Sequence, residues 1–210
     1  MKIGIISCGG SNVTSVANAF RKIGYESSLI TAPDRETDFL VMPGVGAFGA
    51  AVERLDVSGF SEYIQRHVRS GKPTIGICLG MQILFESSEE DESAKGLGVF
   101  EGGFRKLLAN PSPELRSPPN IGYSYVRFTT QDSRNVMGGF SEMDGYYYFL
   151  HSYALKQATA SVDVFGATQF NDETFIPFVL RANVCGIQFH PERSGMAGLN
   201  LLARTIETLK

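Results

Sequence analysis

No stretch of this 210-residue chain approaches the ~20 consecutive apolar residues that a membrane-spanning helix requires. Basic clusters are also missing. The net charge is −3 and no segment concentrates Lys and Arg, which argues against a nucleic-acid surface. Cysteine is scarce: Cys8, Cys78 and Cys185 form an odd, widely spaced set. Such a set does not make a disulfide framework and fits a reducing compartment, with the cytoplasm as the default. The opening Met1–Ser7 segment meets Cys8 and two glycines too soon for a signal-peptide core and reads as a buried first strand. There is no P-loop or Gly-rich phosphate fingerprint, so this chain has no evident means of holding a large phosphorylated acceptor. Neither a metal nor a cofactor is expected.

What is present is ordinary globular composition, 43% hydrophobic and 20% charged, in a length that suits one domain spanning residues 1–210. The first half alternates buried-type strands with amphipathic helices. Strands are predicted at Ile3–Ile6, Ser27–Thr31, Phe39–Met42 and Thr74–Ile77. Between them Val13, Val16, Ala17 and Phe20 share one helical face, with Ser11 or Asn12 as the cap. Phe60, Tyr63, Ile64 and His67 share another, closed by Gly71. Continuous apolar strands alternating with helices predict an α/β fold, flavodoxin-like, with a mostly parallel sheet covered by helices on both faces. After an acidic stretch (Glu86–Glu92) and a proline-rich one (Asn110–Asn120) come five more strand segments: Tyr123–Phe128, Tyr146–Leu150, Val164–Phe170, Phe175–Leu180 and Val184–Phe189. Short turns between them predict antiparallel additions in the C-terminal half. A closing helix carries Leu199, Leu202, Ala203 and Ile206.

Gly76-Ile77-Cys78-Leu79-Gly80 has the form G-x-nucleophile-x-G at a strand-to-helix junction. Glycines on both sides permit a sharp turn, and a helix N-terminus favours the thiolate. A lone cysteine is more often a packed core residue, but this context points to a nucleophile. A thiolate attacking an amide needs a base that later protonates the leaving nitrogen. His67 reads as a packed helix residue and His151 could line a site. His190 is the sharpest candidate, because Pro191-Glu192 follows it. In an extended segment residues i and i+2 point the same way, so Glu192 can orient the imidazole. Backbone donors for an oxyanion are expected at Leu79, and from Pro43-Gly44-Val45-Gly46, at Val45.

With these residues in place the chain resembles the class I glutamine amidotransferases, and among them the glutaminase subunits of imidazole glycerol phosphate synthases. The matching stretches run from end to end: Ile3–Ser7 with Gly9 and Asn12, Pro43–Phe48, Gly76–Gln82 with Glu89-Glu90, Tyr148–Tyr153, and Gly186–Ser194. The resemblance implies a Cys78–His190–Glu192 triad and a γ-glutamyl thioester on Cys78. It implies glutamine bound by Gly44, Gly46, Gln82, Glu90, His151, Ser152 and Tyr153. It also implies a (βα)₈-barrel cyclase partner that receives ammonia in histidine biosynthesis, forming a heterodimer. The partner face is expected at Asn12, Asn120, Ile121, Tyr123 and Arg193. Here the chain departs from the family, which commonly reads P-H-M-G-W-N where this sequence has Pro119-Asn120-Ile121-Gly122-Tyr123-Ser124. Two alternatives stand beside this reading: a paralogous subunit supplying ammonia for surface-saccharide amidation, and a stand-alone cysteine hydrolase of similar fold.

Overall fold

The computed structural model describes residues 1–7, 12–108, 118–130, 139–157 and 162–210. Cys8, Ser11 and most of the proline-rich segment lie outside the described residues. In chain order the elements are β1 (Ile3–Ile6), α1 (Val13–Lys22), β2 (Ser27–Ile30), β3 (Phe39–Gly44), α2 (Phe48–Val57), α3 (Phe60–Arg69), β4 (Thr74–Cys78) and α4 (Leu79–Leu84). There follow β5 (Ser87–Ser88), β6 (Gly103–Lys106), β7 (Asn120–Thr130), β8 (Gly145–His151), β9 (Tyr153–Leu155), β10 (Val164–Phe170), β11 (Glu173–Arg181), β12 (Val184–Ile187) and α5 (Gly195–Leu209).

Among the described residues nine strands form one sheet in the order β2-β1-β3-β4-β12-β11-β10-β7-β8. The first five are mutually parallel, and β12 to β8 pair antiparallel. Within the parallel half β1, β3, β4 and β12 are buried on both faces, which is why β1 and β4 read as unbroken apolar runs. Alternate residues of β3 divide the core. Phe39 and Val41 face the cluster that holds α1 and α5, while Leu40 and Met42 face the one that holds α2, α3 and α4. Pro177 would be out of place inside a regular strand because it lacks an N–H. It sits where the β10–β11 register slips between Gly166 and Thr168, so the extra β11 residue forms a bulge there.

Several local expectations need correction. Asn12 precedes α1, but its side chain does not cap the helix. The periodicity of Phe48, Ala51, Val52 and Leu55 is that of a helix, and α2 forms there unforeseen. A small sheet, β5-β6-β9, was also not anticipated; strands of two to four residues carry almost no periodic signal. β7 begins at Asn120 rather than Tyr123. α5 starts at Gly195, ahead of the periodic residues that signalled it.

Candidate active site

The parallel strands end at one edge of the sheet, where open α/β folds place their ligands. Gly44 lies opposite Cys78 and Ile187 lies opposite Ile77, so the loops after β3, β4 and β12 converge. Cys78 joins β4 to α4 with φ 55° and ψ −110°, a positive φ in a non-glycine residue. Such a conformation costs about 1–3 kcal/mol and persists only where the surroundings impose it. The surroundings do so through glycines. A Cβ on Gly80 would lie 1.8 Å from Met42 O, and one on Gly76 would lie 2.6 Å from Gly80 O. A Cβ on Gly44 would lie 2.9 Å from Leu79 Cβ. Only a chain without side chains there lets β3, β4 and α4 pack this closely around the thiol.

His190 reaches Cys78 from the loop after β12. Its amide donates to Tyr148 O at 2.8 Å and its carbonyl accepts from Ser194 Oγ at 2.7 Å, so the residue is held at both ends. Nδ1 meets Glu192 Oε1 at 2.7 Å, with both side chains buried. Among the described residues Nε2 is buried without a completed hydrogen bond, and it is the nitrogen left for the Cys78 thiol. Burial alone would depress the His190 pKa. Hydrogen bonding to Cys78 and Glu192, reinforced by their charges, outweighs it and lifts the value to about 10. The route by which Glu192 arrives differs from expectation. Pro191–Arg193 is a single 3-10 turn rather than extended chain, and that turn folds the carboxylate back onto the ring.

His151 is placed otherwise. Burial pushes its pKa down to about 4, so the ring is neutral. Nδ1–H donates to Tyr153 O at 2.8 Å, and Nε2 accepts from Asn120 Nδ2 at 3.2 Å. With both nitrogens occupied it is no base for Cys78. His67 is buried in α3 beside Pro73 O, as a packed residue.

A cavity of about 240 Å³ opens over the sulfur. Val45, Gly46, Leu79, Gln82, Glu90, His151, Ser152 and Tyr153 line it together with Cys78 and His190. Gly44 does not line it; its place is in β3 against Leu79. Glu90 is anchored by Phe48 N–H, which donates to Oε2 at 2.8 Å. A smaller apolar cavity behind Gly44 and Val45, lined by Met42, Leu55 and Ile83, contains neither Cys78 nor His190.

Of the two asparagines assigned to a partner face, one is buried and the other, half-buried, is engaged by Glu192. Asn120 is fully buried on β7, paired with His151, and offers no surface. Asn12 donates from Nδ2 to Glu192 Oε1 at 2.5 Å, behind the imidazole. Half-buried, it supports the histidine from behind as well as standing near the expected partner face. No local pattern in the sequence pairs residues 12 and 192; only their shared presence at this sheet edge does. Sequence reasoning also missed Gln188, whose amide lies between Gln82 and Cys78. Ile121 and Tyr123 are exposed, and Arg193 lies 4.4 Å above the Tyr148 ring.

The match to the family described as glutamine amidotransferase class-I covers residues 4–207, and the chain belongs to that family. Within it, the chain is 37% identical over 212 residues to the imidazole glycerol phosphate synthase subunit HisH of Methanopyrus kandleri, covering 98% of each chain. It is 39% identical over 199 residues to imidazole glycerol phosphate synthase hisHF of Emericella nidulans. That alignment takes in 91% of this chain but only 35% of the relative, so the chain spans about a third of that protein's length. A solved structure titled as a glutamine amidotransferase superposes with a TM-score of 0.73 at 16% identity, covering 99% of this chain and 98% of the other; this bears on the fold alone. Among the described residues no helix is long and apolar enough to cross a membrane.

Proposed function

We propose that this chain is the glutaminase subunit of an imidazole glycerol phosphate synthase, with Cys78 as nucleophile, His190 as acid and base, and Glu192 as the group that orients His190. The observation that carries the reading is the His190 ring, pinned on Nδ1 by Glu192 at 2.7 Å with Nε2 left for the thiol of the strained strand-to-helix turn. The thiolate attacks the carboxamide carbon of glutamine, and the carbonyl oxygen becomes an oxyanion facing the N–H groups of Leu79 and Val45. His190 delivers a proton to the nitrogen and ammonia leaves, forming a γ-glutamyl thioester. Water, deprotonated by His190, then attacks the thioester; glutamate departs and the thiol is restored. The sum is glutamine and water to glutamate and ammonia. Gly46, Gln82, Glu90 and the His151–Tyr153 segment hold the substrate.

The acceptor of the ammonia belongs to a partner, which we take to be a (βα)₈-barrel cyclase. Beside the cavity mouth, Ile121, Tyr123 and Leu150 expose apolar surface on β7 and the edge strand β8, with Arg193 alongside. Clustered aromatic and Arg side chains of this kind make good interface anchors. The chain works as one domain in the cytoplasm, where its buried free thiols, Cys78 and Cys185, stay reduced.

The test is ammonia release from glutamine with and without the cyclase. Activity that rises ~10²–10³-fold or more on adding the partner is expected where its docking completes the oxyanion site. Cys78→Ser should abolish turnover while leaving partner binding in place. Turnover by Cys78→Ser would overturn the nucleophile. Full activity without a partner would favour a stand-alone hydrolase, and no response to the cyclase would favour the surface-saccharide paralogue.

A further inference from the structure

We infer that Gln188 is a positioning residue that couples the nucleophile to the substrate-facing amide of Gln82. The inference rests on the glutaminase reading above and deepens it. Gln188 follows β12 directly and is completely buried. Its own N–H is tied to Pro177 O at 2.8 Å, which anchors the stem of the side chain. Nε2 lies 3.7 Å from Cys78 Sγ, and Oε1 accepts from Gln82 Nε2 at 3.3 Å.

The order of donors along this chain follows from the sulfur. A thiolate only accepts, so it selects the NH₂ end of the Gln188 amide. Gln188 Oε1 must then face Gln82, and Gln82 can answer only with its NH₂ group. That leaves Gln82 Oε1 pointing away from the pair, and Gln82 lines the cavity over the sulfur. A ligand there meets a fixed acceptor, suited to an ammonium or another N–H donor and unfavourable to an oxygen. Without Gln188 the Gln82 amide is free to rotate and present either end.

The sulfur has a second neighbour of opposite character. Leu150 O lies 3.9 Å away and can only accept, so it bonds the protonated thiol and repels the thiolate. Of these two neighbours only Gln188 can donate to the thiolate. The titratable groups that surround the sulfur are His190 with Glu192 behind it, His151 from β8, and Glu90 across the cavity. Gln188 is an uncharged donor with fixed orientation among them, and it donates to the sulfur without competing for His190's proton.

The experiment compares wild type with Gln188→Met, which keeps the bulk and removes the donor, in the complex with the cyclase. Alkylation of Cys78 by iodoacetamide, followed peptide by peptide in mass spectrometry, is measured across pH 6–10 alongside kcat and KM for glutamine. Loss of a hydrogen bond to a charged acceptor should slow alkylation about tenfold at neutral pH and move its profile to higher pH. KM should rise about tenfold as Gln82 loses its orientation. A merely structural role would lower the melting temperature and leave the alkylation profile in place, which would overturn the proposal, as would an unchanged KM. Should Gln188→Met not fold, Gln188→Glu serves: an acceptor facing the thiolate should slow alkylation more than tenfold, and wild-type behaviour refutes the role. Alkylation needs no glutamine. Absence of glutaminase activity in the wild type would therefore sink the proposed function without silencing this test. Wild-type glutaminase activity with unaltered variants would sink the coupling alone.

Discussion

Asn12 was expected at a partner surface, and the structure puts it behind His190, the proposed acid and base, so Asn12→Ala separates the two roles. Its Nδ2 lies 2.5 Å from Glu192 Oε1 and 3.3 Å from His190 Nδ1. The second contact is not a bond, because Nδ1 already donates its proton to Glu192 at 2.7 Å and Asn12 also offers a donor. The interaction that matters is amide to carboxylate. Among the described residues Glu192 Oε2 is buried with no hydrogen-bond partner, so removing Asn12 leaves the carboxylate only His190 among them. A hydrogen bond to a charged group is worth about 1.5–3 kcal/mol. If Glu192 drifts and His190 with it, that loss appears in the transition state as a fall of about 10- to 150-fold in kcat/KM. The assay is steady-state ammonia release with the cyclase saturating, so that weakened docking does not count, and docking is titrated separately. Asn12→Asp adds a sharper signature. The introduced carboxyl repels Glu192 when ionised but donates as the amide does when protonated, so its activity relative to wild type should rise as pH falls from 8 to 6. The reasoning fails if Asn12→Ala keeps kcat/KM within twofold of wild type at saturating partner, or if only partner affinity changes.

Gly80→Ala should lower stability by about 1–3 kcal/mol in urea titration, because the new methyl must displace Met42 O and the strand leading to Val45. Glutaminase activity should drop more than tenfold with it; a variant as stable and active as wild type would mean that β3 gives way freely. His151 supplies a pH dependence. Its folded value is near 4 against an ordinary 6.5, so the unfolded chain binds the extra proton first. Its contribution, about 3 kcal/mol from the size of that shift, is present above pH 6.5 and lost as pH falls through 4. His151→Asn should therefore flatten the urea-midpoint profile between pH 7 and 4, and parallel profiles would contradict the buried neutral ring. Tyr123→Ala and Arg193→Ala should each weaken cyclase binding by about 2 kcal/mol or more in a calorimetric titration; unchanged affinity in both moves the interface elsewhere.

Much of the architecture is local and was legible before any coordinates. β1, β3 and β4 are buried on both faces, so burial alone writes them as unbroken apolar runs between glycines and helical faces. The G-x-C-x-G spacing is legible for the same reason: a sharp turn around Cys78 needs residues without Cβ at Gly76 and Gly80, whatever the rest of the chain does. Elements too short to show a period, β5, β6 and β9, left no such trace. β8 offered its run of tyrosines but not which of them are buried: Tyr147 is enclosed while Tyr146 is exposed.

Sequence by itself determined the strand-helix alternation, the family, and the residue types available for thiol chemistry, because each is carried by neighbours in the chain or by motifs of a few residues. Tertiary structure alone decided which polar side chains serve them. Asn12 meets Glu192 across 180 positions, Gln188 meets Cys78 across 110, and Asn120 meets His151 across 31. None of these pairs leaves a periodic or compositional mark, since a single hydrogen bond constrains one atom on each partner and nothing between them. The first two pairs come together because five parallel strands end at one edge and bring the loops that follow them to the same place, while Asn120 and His151 face each other across the antiparallel β7–β8 pair. Asn120 read as a surface residue, and pairing of β7 with β8 buries it completely.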